Sequence, residues 1–335
     1  MSFPHPQYVQ FYPTRRCNQK CSFCFNGDMV SAGETASDIS YDNALRLIEI
    51  LSSHGIKELD IMGGEPLLVD WIPEFIHIAA RKNIGINIST NGSMPDRLRG
   101  LAGIDREKLA VGISLEGSTA QRHNRLTGAS NFDAAMQSIR LLVSSGLDPV
   151  VKTVVSRDTM DDIQNIVCLL RARGVKHYYI IHMDLLTKDP ALRNEVLRYT
   201  DFLEFYENLK KANPEIGIFR VNASCFQRSS LPGGVRCAGG VLKLSVLPDG
   251  SVFPCNLFHH FKEFNLGNIF KDGLETIWAD PRLDYFRNFK ANACGLKNCV
   301  NKDLCTGGCP AHGYYHYRKL DSQDIRCVIG KGLVS

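Results

Sequence analysis

Apolar positions in the first two-thirds of the chain switch repeatedly between a helical and a strand period. Ala44, Leu47, Ile48 and Leu51 follow the i, i+3, i+4, i+7 spacing of one helix face, with Ser40 placed to cap the helix and His54-Gly55 to end it. The same spacing recurs in Ile72, Phe75, Ile76 and Ala79, in Phe132, Ala135, Met136 and Ile139, and in Ile163, Ile166, Val167 and Leu170. Between these faces stand short apolar or alternating runs that predict strands: Tyr8 to Thr14, Ile56 to Met62, Ile84 to Ser89, Leu109 to Leu115, Val150 to Val155 and Tyr178 to Met183. Pro95 to Leu101 reads as a short helix. Strands alternating with helices make a parallel sheet with right-handed crossovers. Six such units predict an α/β chain built as a partial (β/α)6, TIM-like barrel.

Asp189-Pro190 breaks the pattern, and a helix with Tyr199, Phe202, Leu203 and Tyr206 follows, closed by Asn213-Pro214. From Val221 onward the composition turns to Cys, Gly and Pro with short strands, so residues 1–215 and 216–335 are expected as a barrel and a small cysteine-rich domain. In the second part, Leu242 to Leu247 and Ser251 to Pro254 flank the turn Pro248-Asp249-Gly250, a hairpin signal.

Composition narrows the function classes. A net charge of +4 over 335 residues is too mild to argue for nucleic acid. No window approaches 18 uncharged apolar residues, and MSFPHPQYVQ lacks the basic flank and apolar run of a secretory signal. Twelve cysteines without an export signal argue for a reducing compartment, hence the cytoplasm, with thiolates serving metals.

The cysteines carry the chemistry. Cys17, Cys21 and Cys24 stand at C-x3-C-x2-C on a loop directly after the first predicted strand. Three thiolates so close can hold three irons of a cubane cluster and leave the fourth open. A zinc knuckle wants four ligands, and half of a disulfide pair suits a secreted chain. Gly63-Gly64-Glu65-Pro66, Thr90-Asn91-Gly92 and Ser114-Leu115-Glu116-Gly117 fall at or past the ends of the next three strands. Each alone reads as an ordinary turn. Together with the cysteine loop they occupy the rim where parallel α/β barrels bind ligands.

With Phe23 before the third cysteine, these motifs resemble the radical S-adenosylmethionine (radical SAM) superfamily, whose open iron is chelated by the amino and carboxylate groups of the cofactor's methionine. The C-terminal part resembles that superfamily's SPASM extension: Cys237-x12-Gly250-x4-Cys255, then Cys294, Cys299, Cys305 and Cys309, then Cys327. Leu266-Gly267-Asn268-Ile269, Glu275, Ile277 and Trp278 also look like that family. Four residues separate Cys294 from Cys299 where the family's run usually begins C-x2-C, which puts Cys294 in doubt.

The resemblance implies S-adenosylmethionine, one radical SAM [4Fe-4S] cluster on Cys17, Cys21 and Cys24, and two auxiliary [4Fe-4S] clusters. Interleaved ligation would give Cys237, Cys255 and Cys309 to one auxiliary cluster and Cys294, Cys299, Cys305 and Cys327 to the other; structural zinc is the bland alternative. Gly63, Gly64 and Glu65 would receive the methionine amino group, Ser114 and Glu116 would lie near the methionyl and ribose groups, and Asn91 near the ribose. Phe23 would stack on the adenine or cover the cluster. Arg125 would pair with the carboxylate or be a solvated loop charge. Cys225 would be the fourth ligand of the first auxiliary cluster, or a thiol that gives hydrogen to a substrate radical; Cys168 reads as a buried small apolar residue. His182, Met183 and Asp184, ending the sixth strand, are further candidates for the substrate cavity.

The implied activity is reductive cleavage of S-adenosylmethionine and hydrogen abstraction, fed by flavodoxin or ferredoxin. Cys17 stands almost at the start, without the leader-binding segment of many peptide-modifying members. The expected substrate is therefore a sugar-like small molecule, oxidised or epimerised. The alternative is a ribosomal peptide or protein that is cross-linked, epimerised or dehydrogenated. A non-catalytic iron–sulfur or zinc protein is the remote one.

Overall fold

The structure, a computed structural model, describes residues 5–27, 38–187, 189–221, 234–288 and 305–328. The strands are β1 (Tyr8–Phe11), β2 (Glu58–Ile61), β3 (Gly85–Thr90), β4 (Leu109–Ser114), β5 (Val150–Val155), β6 (His177–His182), β7 (Gly217–Arg220), β8 (Lys243–Val246), β9 (Ser251–Phe253) and β10 (Gly267–Asn268). The helices are α1 (Tyr41–Ser53), α2 (Ile72–Arg81), α3 (Pro95–Arg99), α4 (Ala120–Thr127), α5 (Phe132–Ser144), α6 (Ile163–Arg171), α7 (Pro190–Glu195), α8 (Tyr199–Ala212), α9 (Leu274–Trp278), α10 (Asp284–Asn288), α11 (Pro310–Tyr317) and α12 (Ile325–Val328).

The six expected strands form in order and run parallel, from β1 beside β2 through to β5 beside β6. The sheet is open, so the barrel is partial. Helix faces lie where the periodicity put them: Ala44, Leu47, Ile48 and Leu51 of α1 are fully buried, and Ser40 caps that helix by accepting the Asn43 N–H.

Two features exceed the sequence reading. A seventh parallel strand, β7, pairs with β6. On the other edge β8 pairs parallel with β1, Tyr8 opposite Lys243, and the β8–β9 hairpin and β10 continue the same sheet. The order is therefore β10-β9-β8-β1-β2-β3-β4-β5-β6-β7, one sheet shared by the barrel and the cysteine-rich region. Burying both edges this way leaves fewer unpaired backbone groups on β1 than an isolated barrel edge would. Gly250 turns the hairpin with φ +85°, a conformation that suits glycine.

β1 stops at Phe11, short of the expected Thr14, because Pro13 has no N–H to give the ladder. Tyr12 N still reaches Val246 O at 2.9 Å, and the chain then leaves the sheet to form the cysteine loop.

Most apolar side chains join one core beneath the helices and run on into the C-terminal region. A second, small core gathers Met183, Leu185, Val196 and Ile325, with Phe23 and Val154 packed against it. It ties the cysteine loop, the end of β6 and the C-terminal helices together. His182 does not face an open cavity: it is buried on the helix side, its ring stacked 4.7 Å from Phe202 and one ring nitrogen 2.9 Å from Leu197 O. Asp184 bonds Arg326 at 2.9 Å. Cys168 corrects an expectation, since it lies on the exposed side of α6. The helix turns Ile163, Ile166, Val167 and Leu170 inward and leaves position 168 outside.

Phe258 is fully buried, with its ring centroid 4.7 Å from Phe264 and 5.3 Å from Phe286. Phe258→Ala would leave a cavity at the centre of that cluster. The expected cost is about 3–5 kcal/mol, seen as a lower midpoint in chemical denaturation.

Candidate functional site

The cysteine loop is held on both flanks by backbone. On one side Gly64 N donates to Thr14 O at 3.1 Å and Glu65 N to Arg16 O at 2.7 Å. The approach is so close that a Cβ on Gly64 would collide with the Arg16 carbonyl, and one on Gly63 would meet Thr14 O at 2.6 Å. Gly63 also has φ +145°. Only glycine fits this pair. On the other side Lys20 N donates to Thr127 O at 2.9 Å and Ser22 N to Leu126 O at 3.1 Å, both at the C-terminal end of α4. Gly128, with φ +64°, ends that helix directly against Lys20 O.

Glu65 is buried beneath the loop. Its carboxylate accepts from Leu67 N at 3.0 Å, Thr90 Oγ1 at 2.7 Å and Asn91 N at 2.7 Å, so it binds the β2 and β3 rim motifs into one unit. Burial pushes its carboxyl up to about 7, against the pull of those three donors. Asn91 donates to Asn18 Oδ1 at 2.7 Å and also meets Cys17. Glu116 is buried beyond β4, and its carboxylate accepts Val154 N at 2.9 Å. With little else to offset burial, its carboxyl rises to about 8. Ser114 sits half-buried at the end of β4.

His123, which the sequence reading passed over, fixes the next turn. Its Nδ1 accepts the Glu116 N–H at 3.0 Å, so its proton sits on Nε2, which faces Asn131 Oδ1 at 3.2 Å. Burial lowers it to about 4, so the ring is neutral and able to accept. A motif that starts at this histidine, His123-Asn124-Arg125-Leu126-Thr127-Gly128, holds the cysteine loop through the Leu126 and Thr127 carbonyls. Within that motif Arg125 is exposed and forks onto Asp158, with contacts of 2.7 and 2.9 Å.

Cys17, Cys21 and Cys24 converge, half-buried, between Glu65 and Glu116. Burial raises all three thiols, Cys17 to about 11, and the fields of the two carboxylates and of neighbouring thiols raise Cys17 and Cys21 further. Gln19 Oε1 accepts from Cys21 Sγ at 3.3 Å, and its Nε2 is buried with no hydrogen-bond partner among the described residues. Three converging sulfurs with that spare N–H beside Cys21 fit a sulfide-rich cluster, whose irons would displace the thiol protons. Phe23 packs against the second core.

The structure also brings together Cys237, Cys255 and Cys309, whose thiols raise one another. Arg236 arranges this. Fully buried, it donates to Gly308 O at 2.7 Å, to Gly307 O and to Leu320 O at 3.2 Å, drawing the 305–309 loop toward Cys237. His312, buried beside Cys309, accepts Leu185 N at 2.9 Å, and Asp324 accepts Cys309 N at 2.9 Å. Cys305, whose sulfur accepts Gly307 N at 3.3 Å, and Cys327 are half-buried nearby in the chain. Cys225, Cys294 and Cys299 lie outside the described residues. Among the described residues no three His, Cys, Asp or Glu side chains converge as a single metal ion needs.

Comparison with known proteins agrees with this layout. The chain matches the radical SAM superfamily over residues 11–170 and an iron–sulfur cluster-binding domain, SPASM, over residues 237–309. It is 26% identical over 340 residues to the antilisterial bacteriocin subtilosin biosynthesis protein AlbA of Bacillus subtilis (strain 168), covering 96% of this chain and 71% of that protein. It is likewise 26% identical over 339 residues to the mycofactocin maturase MftC of Mycobacterium tuberculosis (strain ATCC 25618 / H37Rv), covering 95% and 81%. Streptococcus suis SuiB bound to its precursor peptide SuiA has the same fold, with a TM-score of 0.80 at 17% identity over 97% of this chain and 76% of that one.

Gly64→Ala is expected to push the Arg16 carbonyl aside and unseat Cys17 while sparing the C-terminal cysteines. Iron after anaerobic reconstitution should fall from about 12 to about 8 per chain. Glu116→Gln probes the raised carboxyl. In the cluster-loaded protein without the sulfonium cofactor, a buried acid whose folded pKa is raised binds more protons folded than unfolded. Its contribution to stability therefore falls as pH climbs from the ordinary glutamate range through about 8. Melting at pH 5.5 and pH 8.5 should show a smaller loss in the variant than in the parent.

Proposed function

The chain belongs to the radical SAM superfamily and carries a C-terminal SPASM domain, and from that premise we propose that it matures a ribosomally made peptide or protein. Its cofactors are S-adenosylmethionine, a radical SAM [4Fe-4S] cluster and auxiliary clusters. Chief support for a peptide substrate comes from a bacteriocin biosynthesis protein and a maturase, each of which aligns over about the whole chain. A sugar-like small molecule, expected from the place of Cys17, has less support from these relatives. Auxiliary clusters held by the C-terminal cysteines would supply an acceptor for a second electron, which suits dehydrogenation or cross-linking; epimerisation stays open if a hydrogen donor stands opposite.

When bound at the open iron, the sulfonium cofactor supplies a 5′-deoxyadenosyl radical that takes hydrogen from an unactivated carbon. The protein's share is placement and exclusion of water. Cys17, Cys21 and Cys24 would hold the cluster. Backbone carbonyls of Gly63 and Gly64 and the one lone pair left on Glu65 would orient the methionine amino group. Ser114, Glu116 and Asn91 would border the methionyl and ribose groups, with Phe23 over the adenine. Arg125 would serve the carboxylate only by releasing Asp158. Cys237, Cys255 and Cys309 would bind one auxiliary cluster with Cys225, and Cys294, Cys299, Cys305 and Cys327 the other. A flavodoxin or ferredoxin would deliver the electron.

The reduced, reconstituted protein should release 5′-deoxyadenosine from S-adenosylmethionine, and the triple variant Cys17→Ala, Cys21→Ala, Cys24→Ala should release none. Equal release by the variant would sink the assignment of the opening motif. For Cys225→Ala, a ligand role predicts lost iron or altered cluster spectra. A donor role predicts full iron and no solvent deuterium at the product carbon, and full iron with normal turnover would rule out both.

A further inference from the structure

Val151 and Val155 of β5 belong to the apolar core under the helices, so Lys152 between them faces the concave side of the sheet. Across the register it stands opposite Ser114 at the rim. Its side chain does not stay at that level. It runs back across Gly112 of β4, where a Cβ would lie 2.6 Å from Nζ, and ends 2.8 Å from Ser89 Oγ on β3. The missing side chain at Gly112 is what lets a lysine of β5 reach β3. An ammonium has three donors, and Ser89 takes one.

Beyond it, Asp60 of β2 lies close enough for each charge to act on the other, yet no ion pair joins them. Burial holds Lys152 below its usual range and Asp60 above its own, and each charge offsets only part of that effect on the other. On the far side of Asp60, Lys243 of β8 sits with its ammonium 5.9 Å from the Tyr8 ring, and its charge also bears on Asp60. Asp60 thus stands between two lysines, of which Lys243 is the one near Cys237 and Cys255. Lys152 is left with spare donors on the inner face, one layer below the rim where the radical would form. A cation already stripped of much of its water binds an anion more strongly than a solvated one does.

We propose that Lys152 receives a carboxylate of the substrate, an acidic side chain or the C-terminal carboxylate of a peptide lying on the concave face. The peptide is taken from the reading above; the carboxylate rests on the lysine itself. The other source of the same chemistry is the methionyl carboxylate of S-adenosylmethionine. The backward reach of the side chain to the Ser89 layer, away from the rim, favours the substrate.

Lys152→Met and Lys152→Glu test this in the cluster-loaded protein, with iron content and visible spectra confirming that the variants fold. Equilibrium dialysis with labelled S-adenosylmethionine should give the parent's affinity in Lys152→Met. A loss of about tenfold there would assign the carboxylate to the cofactor and overturn the proposal. Peptides retained from a random library should be enriched in Asp, Glu or a free C-terminus by the parent and not by Lys152→Met. Lys152→Glu should shift the enrichment to Lys and Arg, an outcome that a purely structural lysine would not produce. Retained peptides without acidic preference, or the same preference in all three proteins, would overturn it. If the parent retains no peptide, the peptide reading fails while the carboxylate site is still decided. N-acetylglutamate then either raises the melting temperature of the parent and not of Lys152→Met, which supports the site, or treats both alike, which overturns it.

Discussion

The close backbone approach between Gly64 and the Arg16 carbonyl is the constraint on which the rest depends. It lets Glu65 N bond Arg16 O while the Glu65 side chain reaches Thr90 and Asn91, so one short motif fixes two rim loops and the cysteine loop together. A side chain at Gly64 would break all three at once. Reactive chemistry at an open iron needs that rigidity, because a small displacement of reacting groups costs much of the rate. The opposite flank, Leu126 and Thr127 against Ser22 and Lys20, depends in turn on a neutral His123 accepting from Glu116 N.

A shared sheet carries this rigidity into the C-terminal region. β8 lies directly beside β1, so the hairpin leading to Cys255 and the strand leading to Cys17 are hydrogen-bonded neighbours. Asn256 N donates to Gln10 Oε1 at 3.2 Å, and His260 contacts Phe25 O at 2.8 Å. Two metal-binding regions so joined hold their mutual distance, which suits electron transfer between them. The second core does the same on the far side, where Arg326 bonds both Asp184 and Asp324.

Much of this was legible in the sequence. The 3.6-residue faces of α1, α2, α5 and α6 are core positions because period alone decides which side of a helix meets a sheet. The rim motifs fall where they do because loops follow strands. Pairing of β8 with β1 was not legible: it joins residues more than 230 positions apart, and no local pattern in a four-residue strand states its neighbour. Arg125 and His182 show the same limit at the site, since a surface fork onto Asp158 and a stack on Phe202 are tertiary facts. Lys152 reads from sequence as an ordinary polar residue of a strand; only its path across Gly112 distinguishes it. Cys168 was misplaced because cysteine is usually buried, and a helix has an outer face as well.

The cysteine loop and the Gly63-Gly64-Glu65 cradle would together present an open iron to the methionine end of S-adenosylmethionine. Electron–nuclear double resonance on the reduced protein, with the cofactor's amino nitrogen isotopically labelled, addresses that contact directly. A hyperfine coupling from the labelled nitrogen to one reduced cluster is expected, lost when Cys17, Cys21 and Cys24 are replaced by Ala. A fully loaded protein that binds the cofactor and shows no such coupling would contradict that arrangement.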